Sequence, residues 1–128
     1  MPENDVIKRT VLAQIAGQSG IRPSGRATFI IQGKKVHVRY CSPPTYKFNI
    51  NPNTLRADYE VWICGSENYY YLIPIEVIRR MYSDPQVYVD SWHPKIRVVS
   101  VKSKADEAMF AAGGRTVDLT PYRGARLG

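Results

Sequence analysis

Two strand–turn–strand segments, set between amphipathic helical stretches, constrain this chain more than any other feature. Residues 27–32 and 35–40 flank Gly33-Lys34, and a glycine in the first turn position suits a two-residue type II′ turn. In that register Ile31 faces Val36, Phe29 faces Val38 and Thr28 faces Arg39. Strand side chains alternate, so Phe29, Ile31, Val36 and Val38 are expected on the buried side. Thr28, Ile30, Gln32, Lys35, His37 and Arg39 then occupy the other. Residues 58–64 and 69–73 make a second hairpin across Gly65-Ser66-Glu67-Asn68.

The flanking segments read as helices. Ile7, Val11 and Ile15 recur four apart with Leu12 beside them, one apolar stripe. Glu3 and Asp5 suit the positive end of that helix, and Gly17 and Gly20 bracket its exit. Pro74 opens a second helix with its body at 76–82, ended by Asp84-Pro85. Between the hairpins, 41–56 holds Pro43, Pro44, Pro52 and three asparagines, and reads as a loop around an extended piece at 46–50. Residues 95–101 suggest another strand. Ser103-Lys104-Ala105-Asp106 resembles a capping box for a short helix through Phe110, stopped by Gly113-Gly114.

The order is α, four strands, α, β, α. This predicts an α+β domain over residues 1–128, with a small mixed or antiparallel sheet of about five strands flanked by helices. Its core spans about 6–82, with a strand–helix extension over 83–128.

Charge is distributed unevenly along this framework. Of the 18 Lys/Arg and 11 Asp/Glu, residues 1–57 hold nine basic side chains and only Glu3 and Asp5, so the whole net +7 lies there. A one-sign half creates a field suited to a polyanion, and nucleic acid is the commonest. An acidic protein surface is the alternative partner. No apolar run is long enough to span a membrane, and no membrane partner is expected. The start of the chain, with Glu3 and Asp5, lacks a secretory leader pattern, so a cytoplasmic location is expected. Cys41 and Cys64 are far apart and form no CxxC pair, which argues against a zinc site or disulfide framework.

Few residues suggest chemistry. No GxxxxGK[ST], GxGxxG or GxSxG motif is present, and His37 and His93 lack metal-ligand spacing. His93, in Ser91-Trp92-His93-Pro94, reads as a turn residue. His37 lies between Lys35 and Arg39, cations that hold its pKa down. Asp58 and Glu60 share one strand face with Trp62 and Cys64. Their carboxylates could take a divalent cation, but a pair at the strand's solvated end countering Arg56 is the simpler reading. Tyr46 and Lys47, in the loop, are the best stacking and phosphate candidates.

Val36-His37-Val38-Arg39-Tyr40, Ala57-Asp58-Tyr59-Glu60-Val61-Trp62 and Tyr70-Tyr71-Leu72-Ile73-Pro74 follow the first helix in that order. This succession resembles the PD-(D/E)XK nuclease superfamily, in particular its small restriction-enzyme-like and intron-associated branches. The resemblance covers about residues 6–82 and implies a restriction-endonuclease-like core acting on nucleic acid, DNA in preference to RNA. The family's strand acid would fall near Thr28 or Ile30, where none stands. Its (D/E)xK tripeptide falls on His37-Val38-Arg39. His37 and Arg39 thus take the catalytic positions, but arginine stays protonated and cannot act as a base. Mg²⁺ would then be needed only by an active divergent endonuclease, with Asp58 and Glu60, or Glu3 and Asp5, supplying ligands. The expectation is therefore a nucleic-acid-binding protein without a complete metal site or cofactor. Arg22, Arg26, Lys34, Lys35, His37, Arg39, Tyr46 and Lys47 are its contact residues. The alternatives are an active Mg²⁺-dependent DNA endonuclease, or an interaction module or inhibitor that meets a protein partner or a second copy of itself.

Overall fold

A computed structural model describes residues 3–110 and 115–128. The first helix, α1 (Glu3–Ala16), ends where Gly17 takes a positive φ of 60° and its N–H returns to Ala13 O at 3.0 Å. Then come β1 (Ile21–Pro23), β2 (Thr28–Ile31), β3 (Lys34–Cys41), β4 (Tyr46–Ile50), a 3₁₀ helix (Pro52–Arg56), β5 (Tyr59–Cys64) and β6 (Tyr70–Pro74). Helix α2 (Ile75–Ser83) follows. The chain continues with β7 (Tyr88–Val89), β8 (Arg97–Lys102), β9 (Glu107–Met109), β10 (Thr116–Asp118) and a last 3₁₀ turn (Thr120–Tyr122).

The architecture is α+β with two five-stranded sheets rather than the one sheet expected. The first runs β1-β2-β3-β5-β6; its β3–β5 pair is parallel and its other neighbours are antiparallel. The second runs β10-β9-β8-β4, with β7 also paired to β8. Parallel neighbours need a crossover. Here the segment linking β3 to β5 supplies β4 to the second sheet, so one connection ties the sheets together. Helix α1 buries Val11 and Ile15 on Val36, Val38, Val61 and Ile63 on one face of the first sheet. On the other face Trp62, Tyr71 and Ile73 meet Phe48, Ile50, Val99 and the α2 side chains Ile78 and Met81. Phe48 and Trp62 stack across this layer, with centroids 4.8 Å apart and planes at 3°.

Several local expectations change. The first hairpin turns at Gln32-Gly33, where both residues have positive φ (53° and 74°), the requirement of a type I′ turn. Phe29 therefore pairs with Val36 and Thr28 with His37. The slip is two residues, which preserves side-chain parity, so the expected buried and polar faces survive. The extended piece expected at 46–50 is β4, which ladder-bonds to β8 in the second sheet and so places Tyr46 and Lys47 on a strand and not in a loop. Residues 103–106 form turns and Glu107–Met109 a strand, in place of the expected C-terminal helix. Asp106 takes a positive φ of 54°, and its carboxylate accepts from Tyr71 Oη at 2.7 Å and faces Arg123 at 3.3 Å. Gly113-Gly114 lies outside the described residues. No helix among those described is long and apolar enough to cross a membrane.

Candidate phosphate-binding cleft

The polar face of the first hairpin opens into a cleft of about 280 Å³ between β2, β3 and the 3₁₀ helix Pro52–Arg56. Arg26, Lys35 and Arg56 line it with Thr28, His37 and Thr54, and no carboxylate does so among the described residues. All three cations are exposed. Arg22 pairs with Ile30, and Ile30 with Lys35, so Arg22 and Lys35 project from the same sheet face. Three separate chain segments thus put positive charge on one surface.

His37 forms part of the cleft wall. Burial, then the charges of Arg39 and Lys8, push its pKa down from 6.5 to about 4. Its imidazole is neutral at physiological pH and adds no charge to the cleft. Its Nδ1 is buried without a hydrogen-bond partner.

Below the cleft lies a buried ion pair that neither hairpin predicts alone. His37 pairs with Glu60 and Arg39 with Trp62 across the parallel β3–β5 ladder, so all four side chains share one face. Glu60 is 0 % exposed. Its Oε1 accepts from Trp62 Nε1 at 2.8 Å and lies 3.2 Å from Arg39 Nε. The Arg39 N–H is not aligned on that oxygen, so this contact is ionic without being a hydrogen bond. Burial raises the Glu60 pKa above its ordinary value, while the Trp62 bond, the Arg39 charge and Thr54 pull it back. This corrects the reading of Asp58 and Glu60 as a solvated pair countering Arg56. Glu60 is fully buried, and Asp58 sits just before β5, its carboxylate accepting from the Lys35 backbone N–H at 2.8 Å.

These residues do not fit a divalent cation. Glu60 Oε1 is taken by Arg39 and Trp62 while Oε2 is buried without a hydrogen-bond partner, Asp58 is bonded to the Lys35 backbone, and the adjoining Arg39 puts a cation beside the one free carboxylate oxygen. Among the described residues no three His, Cys, Asp or Glu side chains cluster as metal ligands. Asp5 lines a different groove, between α1 and β1, and the side chain of Glu3 lies outside what is described.

Other expected contacts separate. Lys34 pairs with Ile31 and so shares the α1 side of the sheet, away from the cleft. Alternation along β4 turns Lys47 to solvent and Tyr46 inward, where Tyr46 packs beside Gly65 and Cys41. Neither adjoins the cleft. Arg39 is held by Glu60, with its side chain 25 % exposed. Arg56 was missed as a contact, although the carboxylate-free run already included it. No family model matches the chain, and neither a curated protein nor a solved structure matches it.

Proposed function

We propose that this chain is a nucleic-acid-binding protein that grips backbone phosphates in the Arg26–Lys35–Arg56 cleft. On this reading the strand framework is restriction-endonuclease-like, and the face that carries the metal in such enzymes holds the Arg39–Glu60 pair instead. The observation that carries the reading is the convergence of three exposed cations in one cleft with no lining carboxylate. A phosphate oxygen entering there meets donors from Arg26, Lys35 and Arg56, with the Thr28 hydroxyl at the wall. Such contacts hold and orient a backbone without reading its sequence.

The test is a gel-shift titration of duplex DNA against salt. Three phosphate contacts give a slope of log K against log salt of about −2.7, or about 40-fold weaker binding for a fourfold rise in salt. Lys35→Ala and Arg56→Ala should each make the slope shallower by about 1. Affinity indifferent to salt and to both substitutions refutes the reading. So does Mg²⁺-dependent cleavage lost on Glu60→Gln, which would make the chain an enzyme.

A further inference from the structure

A second concavity adjoins the cleft. It is an open groove of about 860 Å³, lined by Asn53, Tyr82, Trp92, His93 and Lys95 among others. Asn53 lines both concavities, so the 3₁₀ helix Pro52–Arg56 forms the ridge between them. The chain has two tryptophans, in opposite environments. Trp62 is 0 % exposed, whereas Trp92 is 87 % exposed. A large aromatic ring standing this far into water gains almost nothing from the fold and leaves its faces open to a ligand.

The loop carrying Trp92 has a bonded backbone. Asp90 N–H donates to Ile96 O at 3.1 Å and Ile96 N–H to His93 O at 2.8 Å, while the Asp90 carboxylate accepts from Trp92 N–H at 2.8 Å. The Tyr82 wall is fixed too. Its hydroxyl donates to Lys95 O at 2.7 Å, and the Arg97 guanidinium lies 4.7 Å from its ring centroid. The groove is thus an aromatic surface on a held backbone, with Lys95 at its side and three cations across the Asn53 ridge.

We infer that Trp92 is a stacking platform for an unpaired nucleobase of the strand whose phosphates occupy the basic cleft. The inference rests on the phosphate-binding reading and adds the state of the nucleic acid: single-stranded, or with a base free of its partner. A base offers its π face to a protein ring only when it is unstacked, and such stacking tolerates any base. Charge favours this occupant over a second copy of the chain. A two-fold contact centred on Trp92 would bring two copies of Lys95 together, and the Asp90 carboxylate is already taken by Trp92 N–H and His93. A polyanionic strand meets Lys95 with the opposite sign.

The experiment titrates the full chain with a single strand of about 12 deoxythymidines and with a duplex of equal length. Trp62 is sealed in the core, so a change in tryptophan emission reports Trp92. The expected result is quenching by the single strand. Trp92→Ala should weaken that complex about 10-fold, leave duplex affinity unchanged, and be partly rescued by Trp92→Phe. Single-strand binding without quenching overturns the inference, as does equal loss for single strand and duplex. A dimer that disappears in Trp92→Ala overturns it as well. If Lys35→Ala and Arg56→Ala weaken binding while Trp92→Ala does not, this inference alone falls. If neither nucleic acid binds, the phosphate-binding reading falls with it.

Discussion

Arg39→Met isolates the charge beneath the cleft, because methionine keeps most of the apolar stem and removes the guanidinium. At the observed 3.2 Å and an effective dielectric of about 20, the attraction between Arg39 and Glu60 is about 5 kcal/mol. Against it stands the desolvation of both ions, several kcal/mol each, so the intact pair is close to balance. The broken pair is not. With Arg39 gone, Glu60 stays enclosed with no countercharge, held by the Trp62 bond and the neighbouring Thr54, and the expected loss is about 3–5 kcal/mol. For a chain of this size that lowers the midpoint of thermal unfolding by roughly 10–20 °C. Glu60→Gln should cost less, about 1–2 kcal/mol, because the amide oxygen still accepts from Trp62 and the partly exposed Arg39 can reach water. Urea unfolding followed by circular dichroism measures both, and the double variant Arg39→Met/Glu60→Gln should recover about 2 kcal/mol of their summed loss.

The pH dependence of Arg39→Met has a definite sign. Arg39 lowers the Glu60 pKa, so without it the carboxyl titrates higher still. A carboxyl whose folded pKa exceeds its unfolded value binds a proton on folding, which favours the native state at low pH and is lost as pH rises. The Arg39→Met deficit should therefore shrink as pH falls and the Glu60 carboxyl takes up its proton. A deficit below about 1 kcal/mol, or one that does not change with pH, would refute the argument that Glu60 is held as a buried charge by Arg39.

Proton NMR of the His37 ring should give a titration midpoint near the value of about 4 set by its burial and by Arg39 and Lys8; a midpoint at its unperturbed 6.5 would contradict that environment. Because the folded pKa is lowered, this group's contribution to stability is present above pH 6.5 and declines as pH falls through about 4. Gly65 has φ 81°, and a Cβ there would lie 3.1 Å from Tyr46 Oη and 3.3 Å from Pro43 Cδ. Gly65→Ala should destabilise by about 1–3 kcal/mol in chemical denaturation, and a neutral result would show that the β5–β6 turn relaxes freely.

The parity of side chains along each strand was legible from residue order alone. Val36 and Val38 face α1 while Lys35, His37 and Arg39 face away, and this holds although the turn lies one position earlier than expected and the register slips by two. Alternation is a property of the strand itself, so an even slip cannot disturb it. The concentration of positive charge before residue 58 was equally plain, and it furnishes Arg26, Lys35 and Arg56. The assignment of those charges to surfaces required tertiary structure. Lys34, expected in the turn, begins β3 and pairs with Ile31 on the side that α1 covers, which takes it away from the cleft that Lys35 lines. Glu60 reads as a solvated carboxylate until the closed fold buries it completely and the parallel β3–β5 ladder brings Arg39 within reach. The turn and strand at 103–109 likewise follow from distant partners, Tyr71 and Arg123 on Asp106 and β8 beside β9. Local chemistry decides which way a side chain points from its own strand. What it meets there depends on contacts between residues far apart in the chain, which only the closed fold supplies.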